Sequence, residues 1–172
     1  MRTGYVQVYT GNGKGKTTAA FGLALRAAGA GLRVFIAQFI KGMPYSELKA
    51  FERFKDLITI QQYGTGCFIF GRPTPEDCKA AQHGLVEITA IVTGGNHDIV
   101  ILDENNIATH YELLPIPDVL ELIECRAPGV ELVLTGRYAD KQILERADLI
   151  TEMIERKHYY QLGIQARTGI EK

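Results

Sequence analysis

Tyr9-Thr10-Gly11-Asn12-Gly13-Lys14-Gly15-Lys16-Thr17-Thr18-Ala19-Ala20-Phe21 (YTGNGKGKTTAAF, residues 9–21) is the stretch that decides how this chain folds. It ties a short β-rich run, Tyr5 to Tyr9, to a segment of helical spacing, Lys16 to Ala28. In that segment Phe21, Ala24, Leu25 and Ala28 share one stripe, and Gly29 is expected to stop the helix. Closely spaced glycines let backbone N–H groups turn toward one anion, and the helix N-terminus adds its partial positive charge. Lys16 has the reach for a phosphate oxygen, and the Thr17 hydroxyl suits magnesium. Gly11, Asn12, Gly13, Lys14, Gly15, Lys16, Thr17 and Thr18 are therefore the candidate ligands of a nucleotide's phosphates. The common form of such a loop has a glycine five residues before the last one. Here that position is Thr10 and the first glycine is Gly11, so the loop is a variant. A turn that merely closes a βα unit is the plain alternative. The Gly-Lys-Thr tripeptide between strand and helix favours phosphate, without naming a reaction.

Outward from the loop, strand-like and helix-like runs alternate. Arg33 to Phe39 (RVFIAQF), Leu57 to Gln62, Ile99 to Leu102, Glu131 to Leu134 and Leu149 to Met153 read as further strands. Ser46 to Phe54, Pro117 to Arg126 and Asp140 to Ala147 read as helices. Thr74-Pro75-Glu76-Asp77 starts another with an N-cap threonine, proline at the first helical position and acids in the first turn. That helix is expected to run to about Val92 and end at Gly94-Gly95. Strands separated by helices imply a mainly parallel central sheet with right-handed crossovers, an α/β three-layer sandwich of the P-loop NTPase kind. No repeat or linker divides residues 1–172, which read as one domain.

Composition narrows the function. With 23% charged and 46% hydrophobic residues and a net charge of −1, the chain reads as globular, with no global reason to bind nucleic acid or an acidic membrane. No apolar run spans a bilayer and the start has no signal-peptide pattern, so a cytoplasmic setting is expected. Cys67, Cys78 and Cys125 form no CxxC pair and do not cluster with the four histidines, which argues for unpaired thiols and against a zinc site.

A parallel sheet binds ligands at the carboxyl ends of its strands. After the second strand come Gln38 and Lys41, and after the third Tyr63 to Gly71 (YGTGCFIFG). Asp103-Glu104-Asn105-Asn106 follows the fourth and Thr135-Gly136-Arg137 the fifth. Asp103 and Glu104 end an apolar run, a usual place for carboxylates that hold magnesium directly or through water. Arg137 offers a fork of donors for phosphate charge, as Lys41 offers an ammonium, although either can be an ordinary surface cation. His97 and His110 read as structural or solvated. Phe68, Ile69 and Phe70 form an apolar run in the loop over this rim, either facing a large flat ligand or tucked beneath the loop.

Taken together these segments resemble the P-loop corrinoid adenosyltransferases, which act on cob(I)alamin or cob(I)yrinic acid a,c-diamide. TGNGKGKTTAAFGLALRAAG, QFIKG, VILDE with Asn106 following, VLTGR, ADLITEM, KH and GIQARTGIE match in order over essentially the whole chain, including the displaced first glycine. The resemblance implies transfer of the 5′-deoxyadenosyl group of ATP to the cobalt of a reduced corrinoid, with release of triphosphate. Lys16, Arg137 and Lys14 would stabilise the leaving group, and magnesium would sit at Thr17 with Asp103 or Glu104. Phe68, Phe70, Lys41 and Asn106 fall on the corrinoid side. The family uses aromatic residues to expel the lower axial ligand of cob(II)alamin; its loop usually carries a Phe and a Trp, whereas this chain has no Trp. A reductase or flavoprotein electron donor and a homodimer are further implications. Some members carry an N-terminal segment over the site; here the first strand starts about four residues in, so the site is more open or another element closes it. The alternatives are a P-loop ATPase or small-molecule kinase, which would want a base and an arginine-rich lid, and a non-enzymatic nucleotide-binding module.

Overall fold

The computed structural model describes residues 3–42, 46–64 and 73–171. Six strands form one sheet in the order β3-β2-β4-β5-β1-β6: β1 (Val6–Thr10), β2 (Val34–Phe39), β3 (Ile58–Tyr63), β4 (Ile99–Asp103), β5 (Glu131–Thr135) and β6 (Leu149–Glu152). Every pairing among the described residues is parallel, as the alternation of strands and helices led one to expect.

The period-2 alternation of each inner strand divides its side chains between two cores. Val34, Ile36, Ile99, Ile101 and Val133 face α1 (Lys16–Gly29) and α2 (Ser46–Phe51), where they meet Ala20, Phe21, Ala24 and Phe51. Phe35, Ala37, Phe39, Val100, Leu102, Leu132 and Leu134 face the other way, onto α3 (Pro75–Gly94), α4 (Asn105–His110), α5 (Ile116–Cys125) and α6 (Lys141–Arg146). Burial on both faces is why these strands read as continuous apolar runs.

Local signals behave as their chemistry requires. Thr74 and Asp77 form a reciprocal capping box at the start of α3, and Gly95 closes it in the left-handed region. The run from Ser46 ends as a 3₁₀ turn at Glu52–Phe54. Gly29 is the last residue of α1 rather than its stop; the chain reverses after it, at Gly31 with φ 77°. α4 was not expected: its N-cap Glu104 makes no side-chain capping bond and gives no start signal. No helix among the described residues is long and apolar enough to cross a membrane.

The order places β1 between β5 and β6, with α1 leaving to one face and the helices after β4 and β5 packed on the other. Adjacent strands whose helices leave to opposite faces open a crevice at their carboxyl ends. The glycine-rich loop, residues 11–15, lies there.

Candidate functional site

Asp103 is the centre of the site. It ends β4 fully buried and accepts four hydrogen bonds. Thr17 Oγ1 (2.9 Å) and Thr135 Oγ1 (2.8 Å) donate to Oδ1; Gln38 Nε2 (3.1 Å) and Lys41 Nζ (2.7 Å) donate to Oδ2. α1, β5, β2 and the turn after β2 thus converge on one carboxylate. Burial pushes its pKa up, but the Lys41 ammonium and the hydrogen bonds outweigh that and hold it below the usual carboxylate range. Burial pushes Lys41 down, and the charges of Asp103 and Glu104 more than reverse it. Glu104 sits beside this pair in the left-handed region, φ 60°, with its N–H donating to Thr135 Oγ1 at 3.1 Å. Burial and the neighbouring Asp103 charge raise its pKa, against the opposing charges of Lys41, Lys16 and Arg137.

Lys16 opens α1 and curls back over the loop, donating to Gly11 O and Gly13 O at 2.8 Å each. It is buried, and desolvation lowers its pKa. Gly15, at φ 116°, turns the chain into the helix. Gly11 and Gly13 have a different reason to be glycine. The backbone of Met153, just past β6, lies against the outer side of the loop. A Cβ on Gly11 would come 2.4 Å from Met153 O, and one on Gly13 2.7 Å from the same atom. Met153 O accepts the Gly13 N–H at 2.6 Å, and Met153 N donates to Thr10 O at 2.9 Å. The displaced glycine spacing follows from this: Thr10 continues β1 opposite Glu152, and the close approach falls one residue later.

A cleft of about 490 Å³ opens beside the loop, lined by Asn12, Arg137, Tyr138, Glu152, Ile154 and Glu155. Arg137 is exposed at its wall. Tyr138, at φ 60°, stacks on His110 with ring centroids 4.5 Å apart. Asn106 is fully buried and donates to Gly136 O at 3.1 Å, tying α4 to the turn that carries Arg137. His97 lies at the amino end of β4, edge-on to Phe35 and away from this rim.

The structure therefore gathers Lys16, Thr17, Asp103, Glu104 and Lys41 into one polar centre, with Asn12 and Arg137 on the adjoining cleft. Thr18 continues the first turn of α1. Lys14 points to the outer side of the loop, where it meets the chain's last residues. Phe68 and Phe70 lie outside the described residues. Sequence reasoning missed the cleft residues Tyr138, Glu152 and Glu155 and the bracing by Met153. Only Glu152 sat where position alone pointed to it, at the carboxyl end of a strand.

Fold and site define an α/β protein that places a glycine-rich strand-to-helix loop and a saturated aspartate at the carboxyl edge of a parallel sheet. The family model described as ATP:corrinoid adenosyltransferase BtuR/CobO/CobP matches residues 2–171. The chain is 35% identical to the corrinoid adenosyltransferase of Pseudomonas aeruginosa, covering 98% of this chain and 83% of that one. It is 35% identical to that of Escherichia coli K12 (98% and 85%) and 36% identical to the corrinoid adenosyltransferase CobA of Salmonella typhimurium (98% and 85%). The chain belongs to the ATP:corrinoid adenosyltransferase family. Its activity is that of a transferase, moving the adenosyl group of ATP to a corrinoid.

Proposed function

We propose that the glycine-rich loop and the Asp103 centre hold the triphosphate of ATP while the cobalt of a reduced corrinoid attacks the ribose 5′-carbon. A cobalt–carbon bond forms, the C5′–O bond breaks, and its electron pair leaves with inorganic triphosphate. Cobalt(I) carries its own lone pair, so no proton has to be removed from the nucleophile. The protein's work is to orient ATP and to stabilise the charge that grows on the leaving group. The observation that carries this reading is the pair of neighbours that open α1 beside the loop: Lys16, with its ammonium on the loop carbonyls, and Thr17, with its hydroxyl on Asp103.

Lys16 leaves the carbonyls of Gly11 and Gly13 for a phosphate oxygen, while the loop's N–H groups from Gly11 to Thr18, other than that of Gly13 which Met153 O takes, receive the others with Asn12. Arg137 contributes a guanidinium from the cleft wall, and Lys14 adds its charge from the loop's outer side. The donor set suits magnesium: Thr17 Oγ1, Asp103 and Glu104 are hard oxygens, and the Lys41 ammonium already rests 2.7 Å from Asp103 and 3.5 Å from Thr17 Oγ1. Magnesium held by Thr17 with Asp103 or Glu104 would neutralise triphosphate charge. Lys41, released from Asp103, and Asn106, which fixes the turn bearing Arg137, fall on the corrinoid side. Phe68 and Phe70 are the aromatic wedge that would expel the lower axial ligand of cob(II)alamin. That step calls for an electron-donating reductase or flavoprotein. The corrinoid is cobalamin or a biosynthetic precursor. We place the enzyme in the cytoplasm, which agrees with the free thiols of Cys78 and Cys125. We place it as a homodimer, in keeping with the four exposed residues of the edge strand β6; light scattering on the purified protein tests that assignment.

Anaerobic incubation with ATP, magnesium and chemically reduced cob(I)alamin tests the reaction. A light-sensitive adenosylated corrinoid with stoichiometric triphosphate is the expected result. ADP and phosphate with no cobalt–carbon product, on complete and precursor corrinoids alike, would favour an ATPase or kinase.

A further inference from the structure

The last residues of the chain form a polar cluster with no partner in the hydrophobic core. Beyond Ile143 none of the described residues is buried, yet Met153 and Ile154 lie against the glycine-rich loop and Ile170 and Glu171 return to Lys14. At the far end Lys14 Nζ donates to Ile170 O at 3.2 Å and lies 3.5 Å from Glu171 Oε1. Glu171 is itself firmly set. Arg167 grips it three times, through its backbone N–H (2.9 Å), Nε (3.3 Å) and Nη2 (3.1 Å), and the Tyr159 hydroxyl donates to Oε1. The Arg167 guanidinium also lies over the Tyr159 ring, 4.9 Å from its centroid. The Glu171 side chain is only 16% exposed although its neighbours are open to solvent.

Glu171 is thus held by Arg167 and Tyr159, and the Oε1 that both of them reach also lies 3.5 Å from the Lys14 ammonium of the loop. The loop is clasped at two points: at Gly13 by the Met153 carbonyl and at Lys14 by Ile170 and Glu171. The contacts fix two adjacent residues of the loop, and with them the direction of the neighbouring amides that would meet an anion. A loop of three glycines in five residues has no stiffness of its own. Ordering it before the ligand arrives removes an entropy loss from binding.

We propose that Glu171, oriented by Arg167 and Tyr159, is a positioning residue for the reaction, and that through Lys14 it holds the glycine-rich loop in its triphosphate-binding shape. The inference rests on the reading of that loop as the triphosphate site. It assigns the end of the chain to ATP recognition rather than to the corrinoid, because the clasp lies on the loop and none of its polar contacts reaches the Asp103 centre.

Steady-state kinetics on the full chain with pre-reduced cob(I)alamin, and direct titration with inorganic triphosphate, test it. Loss of one partly exposed ion pair in Glu171→Gln should raise the KM for ATP and weaken triphosphate binding about fivefold. The KM for the corrinoid and kcat at saturating ATP should stay within twofold of wild type, as an estimate of about assay scatter on a site not otherwise touched. Arg167→Ala, which frees Glu171 without altering the loop, should move the same constants the same way, and Glu171→Asp should recover most of the loss. Unchanged triphosphate binding in Glu171→Gln and Arg167→Ala, with wild type binding normally, would overturn the positioning role alone. So would an equal loss in the corrinoid KM together with a lowered melting temperature, since the tail would then be a general brace. A wild-type protein that binds neither ATP nor triphosphate would overturn the loop reading itself.

Discussion

A buried aspartate with four donors around it is stable only because the donors are there. Asp103 is held below the ordinary carboxylate range, so its contribution is complete above the unfolded-state value of about 3.9. That contribution fades as pH falls through the lower folded value. Asp103→Asn keeps the shape but removes the carboxylate bonded to the Lys41 ammonium, at a loss of about 3 kcal/mol near neutral pH. Urea unfolding at pH 7 and pH 3 should show the gap between variant and wild type narrowing in acid; an equal gap at both would mean that folding does not lower the pKa of this carboxyl. Lys16 presents the opposite case. Among the described residues its amine meets two loop carbonyls, so truncation frees those oxygens without emptying the core. Lys16→Ala should keep its melting temperature and lose about 100- to 1,000-fold in kcat, the scale of a removed charge-stabilising donor. Full activity would sink the triphosphate assignment.

At the scale of elements, the loop between β1 and α1 is a sandwich: ligand-binding amides on the inside, the Met153 backbone on the outside. Gly13→Ala probes the outside alone, because the added methyl meets Met153 O at 2.7 Å. Either β6 shifts outward or the loop moves inward, and both weaken ATP. A destabilisation of about 1–3 kcal/mol with a raised KM for ATP is expected; wild-type behaviour in both would show that the close approach is not maintained in solution. The loop after β3 carries the parallel test for the corrinoid. Phe70→Ala should spare turnover of pre-reduced cob(I)alamin and impair turnover from cob(II)alamin with a reductase, and equal loss in both assays would count against a wedge. These elements also show what the sequence could disclose. Strand and helix placements, the Thr74 cap and the gathering of Lys16, Thr17, Asp103, Glu104 and Lys41 were legible because they depend on periodicity, capping chemistry and position at a strand's carboxyl end. Ile40, Glu104 and Tyr138, three non-glycine residues at positive φ just beyond β2, β4 and β5, were not, since side-chain type gives no warning of such strain. The contact of Lys14 with Glu171 was equally hidden. It joins residues 157 positions apart across a tail with no apolar pattern.

Across the whole molecule, stability and function are unevenly distributed. The two cores lie between the helices and the five strands β1 to β5, whereas β6 hangs on the edge of β1 with all four residues exposed. Beyond Ala147 no described residue packs against either core, so that part of the chain is attached by backbone pairing and polar contacts, the weakest class of attachment against local opening. Native-state hydrogen exchange should reveal this as a gradient. Amides of β2 and β4 should exchange only through global unfolding, while those of Leu149–Glu152 and the clasp near Met153 open far sooner. Adding ATP with magnesium should slow exchange in β6 and at Gly13 together, because the loop and the segment behind it share a hydrogen bond and are ordered as one. Protection confined to the loop would show that ligand order stops at its inner face. A second dependence separates the role of a partner subunit: if a second copy covers the β6 edge, its protection rises with protein concentration at fixed ATP. Protection that follows ATP alone, at every concentration, would place the stabilisation of β6 within the single chain.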